Sequence, residues 1–331
     1  MTLTDTSPAP PPAEPGHPPR RRRRLVAAAV LVIVLLVAVV TAVLTRDRLG
    51  GPAPGPAEPA PTGAEGALPG ADQPLSWAPP ELEDPEVVEI SADELSLRLD
   101  KSTDYELVMP DEPLPQGLSV YGGRNVVLVG GEIRIETGEG EGARGLYLRD
   151  QTGTVHVEGL RLGGTNLSEG INLDQRLGAV VQLQNILVDG VKGSREGHHA
   201  DLLQSWAGPR QLLVDGLSGT TGYQGFFLLP NQFGDQAEPE VVDLRRVDIA
   251  GADSGSAYML WRDDADWPVM TEDVWVDPTS GEAEDRRDFL WDRDGDDSWE
   301  GVSVGAPPEG QFVPEGTAGV DYVSPGYGSS G

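Results

Sequence analysis

Apolar residues recur along the chain in a two-part frame. One part reads apolar-x-apolar-x-x-apolar-x-apolar: Val155, Val157, Leu160 and Leu162; Val181, Leu183, Ile186 and Val188; Val242, Leu244, Val247 and Ile249. Val126, Leu128 and Ile133 fit it with Gly130 and Gly131 at the break. Alternation within each half is the period of a strand with one buried face, and the two-residue break lets the chain turn a corner. The other part is a shorter strand-like frame: GLYLRD, GINLDQ, HADLLQ, GFFLLP and AYMLWR. It carries Leu148, Leu173, Leu202, Leu228 and Leu260, spaced 25, 29, 26 and 32 residues apart. Gly, Asn and Asp crowd the gaps, as in Gly163-Gly164-Thr165-Asn166 and Gly219-Thr220-Thr221-Gly222. Two short strands per repeat predict a solenoid over about Tyr105 to Val276, with like residues stacked about 4.8 Å apart. A leucine-rich repeat would need helix-compatible segments and a recurrent Asn, and both are missing.

The flanks read differently. Ser91 and Glu94 have capping-box spacing, which predicts a short helix covering the first rung; Leu95, Leu97 and Leu99 alternate, which also suits a strand. Residues 1–24 form a Pro-rich tail ending in Arg20 to Arg24, and residues 25–45 are a run of 21 without a charge. Such a run is long enough to cross a bilayer as a helix. Five arginines before it, against Arg46 and Arg48 after it, place the N-terminus in the cytoplasm and the bulk outside. The rival is a cleaved signal peptide, but no small-x-small site follows at Thr45-Arg46-Asp47. Residues 46–85 hold ten prolines and read as a disordered stalk, able to reach roughly 100 Å if extended. The solenoid domain is expected over 86–280, and 281–331 as an acidic segment partly packed as a cap.

Charge narrows the partners. The chain carries −30, and residues 1–45 carry +3, so the exported remainder carries −33. Such a surface repels nucleic acid and disfavours polyanionic glycans unless a divalent cation bridges them. Cysteine is absent, so the domain holds together without disulfides.

With rungs of this period and the strand motif His199-Ala200-Asp201-Leu202-Leu203-Gln204, residues 86–280 resemble the right-handed parallel β-helix proteins of the pectate-lyase-like superfold. The resemblance implies an all-β, single-stranded right-handed parallel β-helix. Its outer sheet face would line a glycan cleft. Superfolds of this kind host lyases, hydrolases and non-catalytic adhesins alike.

If the five leucines form one inward ladder, Tyr147, Asn172, Asp201, Phe227 and Met259 make one outward column, and Arg149, Asp174, Leu203, Leu229 and Trp261 the next. Asp174 and Asp201 then stand roughly 8 Å apart, a spacing suited to an inverting acid and base. The bland alternative pairs Asp174 with Arg149 and leaves Asp201 solvated. His199 should share the face of Asp201 and can act as acid, base or ligand; with Gln204 it also suits a structural hydrogen-bonded corner. Gln204, Asn172, Tyr147, Trp261 and Arg149 are the candidate substrate contacts. For a lyase, the resemblance implies Ca²⁺ and an arginine base; Asn172, Asp174 and Asp201 offer oxygen ligands, but no lyase motif surrounds Arg149, Arg176, Arg210 or Arg262. Asp292, Asp294 and Asp296 resemble the start of a calcium loop, which would want Gly at Asp297 and Glu at Ser303. The expectation is a membrane-anchored, single-pass surface domain that binds a polysaccharide and, as an enzyme, is a lyase or glycoside hydrolase. The alternative is a non-catalytic scaffold or adhesion module that meets a protein or wall polymer.

Overall fold

A computed structural model describes residues 73–138, 143–194, 198–233, 239–252, 258–262, 267–278, 289–292 and 299–328. They form a parallel β-solenoid, and no helix occurs among them. The first rungs contain β1 (Glu86–Glu89), β2 (Ser96–Leu99), β3 (Tyr105–Val108), β4 (Leu118–Gly122), β5 (Val126–Val129) and β6 (Glu132–Arg134). The middle rungs contain β7 (Arg144–Arg149), β8 (Thr154–Glu158), β9 (Arg161–Gly163), β10 (Glu169–Asp174), β11 (Val180–Val191) and β12 (Asp201–Ala207). Then come β13 (Gln211–Thr221), β14 (Gln224–Leu228), β15 (Val241–Gly251), β16 (Leu260–Arg262), β17 (Val269–Asp277), β18 (Leu290–Asp292) and β19 (Val302–Val304). Successive turns contribute alternately to two sheets. The front sheet runs β2-β4-β7-β10-β12-β14-β16-β18, and the back sheet β1-β3-β5-β8-β11-β13-β15-β17-β19, with β6 and β9 pairing beside β11.

The back sheet follows from the apolar-x-apolar-x-x-apolar frame. Val155, Val181, Leu212 and Val242 stand in register, as do Val157, Leu183, Val214 and Leu244, all within 1 % of full burial. The break is a left-handed kink at the same place on each rung: Gly159 (φ 67°), Asn185 (52°), Gly216 (73°), Arg246 (49°) and Asp273 (53°). Three of these five are not glycine, in a conformation that disfavours most L side chains. At Asn185 the side chain helps hold it, donating from Nδ2 to Thr317 O at 2.6 Å.

Two expectations change. Ser91 and Glu94 close a tight turn, bridged to each other, and Leu97 enters β2 fully in register with Val120. The period-2 spacing of the three leucines outweighs the capping box, because β2 completes the front sheet by pairing with β4. The leucine ladder also slips. Leu148 pairs with Leu173, but Leu173 faces Ser205, Leu228 faces Arg262, and Leu203 aligns with Ile171 and Phe226. Leu202 is still buried, one place earlier. Gly145, Gly170 and Gly225 hold that place on other rungs, and a Cβ on Gly170 would meet Leu202 O at 2.3 Å. The extra bulk at Leu202 is matched inside by Gly219, whose Cβ would lie 2.1 Å from Leu202 Cδ1.

Chain outside the rungs lies on the back sheet. Gln73 to Trp77, read above as the end of the stalk, pair there with the C-terminal segment: Leu75 N donates to Gly326 O at 2.8 Å, and Gly328 N to Leu75 O at 2.9 Å. The run Leu25–Thr45, Asp294 and Asp296 lie outside the described residues. Among the described residues no helix is long and apolar enough to cross a membrane.

Candidate functional site

The slip in register decides which side chains meet on the front face. At each corner the chain gives an outward residue, two inward ones, then an outward one. The first outward position is Arg144 on β7, Glu169 on β10, Asp201 on β12 and Gln224 on β14. The second is Tyr147, Asn172, Gln204, Phe227, Trp261 and Trp291. Met259 and Leu203, expected outside, are both fully buried.

Asp174 and Asp201 do not meet. Asp174 stands opposite Ala207, six residues along β12 from Asp201, or roughly 20 Å of extended strand. It is held by Arg176 at 2.7 Å, by Arg149 at 3.4 Å and by the Tyr147 hydroxyl, which donates to Oδ2 at 3.2 Å. Burial and the Asp174 charge push the Tyr147 phenol up to about 12. Tyr147 and Arg149 therefore organise a structural ion cluster.

The neighbour of Asp201 is Glu169, which the sequence reading missed. Its signal was present as a recurring triplet, Arg144-Gly145-Leu146, Glu169-Gly170-Ile171 and Gln224-Gly225-Phe226, in which Asp201-Leu202-Leu203 replaces the glycine by leucine. Glu169 accepts from Arg144 Nε and from Asn172 Nδ2, each at 2.8 Å, and His198 Nε2 lies 3.3 Å from its other oxygen. Asp201 is 2 % exposed, and its Oδ1 has no partner among the described residues. Burial raises its carboxyl well above the ordinary carboxylate range, and the Glu169 charge adds to the shift.

These groups line a cleft of about 480 Å³ with Gln204 and Gln224. His199 borders it, its ring 4.9 Å from Tyr223. The remaining lining is aromatic: Trp206, Tyr223, Phe227, Tyr258 and Trp261. Trp261 packs against Phe227 at 4.9 Å, Tyr258 at 4.6 Å and Trp291 at 4.3 Å between ring centroids, while its buried Nε1 has no acceptor among the described residues. Among the described residues, no lysine or arginine lines the cleft.

For a cation, the described residues hold no group of three or more His, Asp and Glu arranged around one point. Asn172 donates its Nδ2 to Glu169 while its Oδ1 has no partner among the described residues, and Asp174 is held by two arginines and stands opposite Ala207, away from Asp201, so the three oxygen donors weighed for calcium are not gathered. Asp292 lies in β18 beside Arg262, while its companions Asp294 and Asp296 lie outside the described residues. Comparison with protein-family models, with curated proteins and with solved structures returned no match.

Proposed function

We propose that the solenoid is a surface-displayed carbohydrate-binding domain whose ligand occupies the cleft over Asp201 and Trp261. One observation carries this reading: Asp201 and Trp261 line the same cleft, and a buried carboxyl oxygen of the one and the buried indole N–H of the other have no partner among the described residues. Buried polar atoms are normally paired, and a bare pair at a cleft is what a ligand completes. A sugar hydroxyl accepts from the Trp261 N–H and donates to Asp201, and the apolar face of a sugar ring lies on the aromatic lining. The rung pattern's resemblance to the pectate-lyase-like superfold agrees with a glycan ligand. The −33 remainder disfavours the polyanionic members of that ligand class. Display outside a membrane rests on the uncharged run Leu25–Thr45 and its flanking arginines.

A second reading, hydrolysis, is favoured by the unequal carboxyl pair. Burial pushes the Asp201 carboxyl well above the ordinary carboxylate range while Glu169 is ion-paired to Arg144, and separation of such environments marks acid and base assignments. Adjacent rungs stand about 4.8 Å apart, near the ~5–5.5 Å of retaining glycosidases. Asp201 would protonate the leaving oxygen, with Glu169 as nucleophile.

Calorimetric titration with oligosaccharides tests the first reading: Trp261→Ala should weaken binding at least tenfold, and a protein that binds no glycan overturns it. For hydrolysis, Asp201→Asn should keep binding and abolish release of reducing ends. Cleavage at the wild-type rate by that variant rules Asp201 out as the acid.

A further inference from the structure

We propose that the cleft selects a cationic sugar, one bearing a free protonated amine, seated between the Asp201–Glu169 column and the aromatic faces of Phe227, Tyr258 and Trp261. This rests on the carbohydrate-binding reading and names its ligand class.

The lining combines what an ammonium group needs. Aromatic faces carry negative charge density and attract cations, most strongly where water is excluded. Here they meet two carboxyl groups, and among the described residues no lysine or arginine lines the same space, although Arg144 stands over the lining Trp206. Asp201 is 2 % exposed and its Oδ1 has no partner among the described residues. Among the described residues, the charged and titratable groups facing Asp201 and Glu169 are Arg144 on β7, His198 and His199 ahead of β12, Tyr223 before β14 and Tyr258 before β16. Arg144 offsets one negative charge, yet the Glu169 charge still opposes ionisation of Asp201, so the potential at that carboxyl is negative. An ammonium group placed there reverses this opposition. A cation bound in the cleft therefore favours ionisation of Asp201. The −33 field of the domain steers such ligands inward.

Ionisation of Asp201 on binding is incompatible with its acting as a general acid at that subsite. The amine reading therefore favours binding over hydrolysis there.

The test is titration calorimetry at pH 5.5 with β-1,4-linked glucosamine hexamer, its fully N-acetylated counterpart and choline. The amine hexamer should bind at least tenfold tighter than the N-acetylated one. Paired buffers of different ionisation enthalpy should show net proton release when the amine hexamer binds. Asp201→Asn should abolish that release and bring the two hexamers within about twofold. Trp261→Ala, which leaves net charge unchanged, should remove the preference; an undiminished preference would mean diffuse attraction to an acidic surface and overturn the proposal. Equal or tighter binding of the N-acetylated hexamer overturns the amine inference and leaves the carbohydrate reading standing. Binding of choline without either hexamer overturns both, since the cleft then takes a cation that is not a sugar. Silence from all three overturns both.

Discussion

The two outer faces of the solenoid both carry buried polar groups, and they close several of them differently. On the back sheet a row of them is closed by chain from a terminus, while Asp243 is held by Arg245 of its own strand and Arg161 Nε has no hydrogen-bond partner among the described residues. Glu158 receives the hydroxyls of Tyr322 at 2.7 Å and Tyr327 at 2.6 Å, with His156 Nε2 at 2.9 Å. Gln184 exchanges two hydrogen bonds with the backbone of Trp77, and Asp215 accepts from Ser76 N and from Arg246. Asp248 accepts from Ser218 and from Phe312 N. On the front sheet, Asp201 Oδ1 and Trp261 Nε1 are also buried and have no hydrogen-bond partner among the described residues. A satisfied polar cluster holds a fold together; an unsatisfied one at an open cleft costs stability that only a ligand returns. Even the back-sheet cleft of about 300 Å³ beside Trp275 and Phe312 has its Arg246 committed to Asp215 and Gln73.

That contrast is easiest to break on the back face. Glu158→Gln removes the charge on which His156, Ser324, Tyr327 and Tyr322 converge and sets an amide N–H against them. Breaking a buried pair of this kind typically costs about 3–5 kcal/mol, and urea denaturation should show a loss of that order. The same carboxylate sets an acid limit. Burial alone would raise it, but His156, Ser324, Tyr327 and Tyr322 together hold it at about 2. A folded value below the unfolded ~4.3 gives stability that is complete above that pH and drains away as pH falls towards 2. Denaturation midpoints measured between pH 5 and 2 should drop in the wild type and flatten in the variant. A wild-type curve that is flat there would mean the terminal segments are not held through Glu158.

Tyr327→Phe is a gentler probe of the same cover, removing one of the hydroxyls on Glu158. A single charge-assisted hydrogen bond contributes about 1.5–3 kcal/mol, so its loss should be smaller than that of Glu158→Gln and should leave front-face binding untouched. If ligand affinity falls with it, the two faces are coupled and the contrast is not local.

The back sheet was the legible half of the molecule. Its inward positions are apolar on successive rungs and its kink falls at a fixed place, so a period of residues translates directly into a stack. The front register was not legible, because Leu202 and Leu203 are both inward at a corner where other rungs spend a glycine. Counting leucines placed Asp201 one rung position wrong and hid Glu169, whose partner is set by Arg144-Gly145 and Glu169-Gly170 rather than by any leucine. The terminal covers were invisible for another reason. Gln73–Trp77 and residues 305–328 have no period at all, and their partners lie far off in the sequence, from 64 residues for Phe312 with Asp248 to 169 for Tyr327 with Glu158. Only assembled rungs present the polar ladder they cover.

Asp201→Asn should move stability the other way. An acid whose folded value is raised keeps a proton that the unfolded chain has released. Its cost therefore grows as pH rises from the unfolded ~3.9 towards the folded value and is fully felt above it. Asparagine removes that cost with little change of shape. At pH 7 the variant should be more stable by about 0.5–2 kcal/mol, the usual gain from relieving a strained functional position. The gain should vanish near pH 4. A variant less stable than wild type at pH 7 would mean Asp201 has a structural partner and belongs with the back-face groups.

Trp261→Phe asks the same question of a neutral group with the smallest change. Phenylalanine keeps an aromatic face against Phe227, Tyr258 and Trp291 and deletes the indole N–H. Since that N–H is buried without an acceptor, its removal takes away a desolvated donor that contributes nothing to the free protein. The loss of ring volume works against this, so the thermal midpoint should hold within a few degrees. Binding should fall by about 1 kcal/mol, roughly fivefold, because the ligand loses the hydrogen bond that only it could make. Unchanged affinity would leave the indole as packing alone, and the front face would then differ from the back by one carboxyl rather than by a built pair.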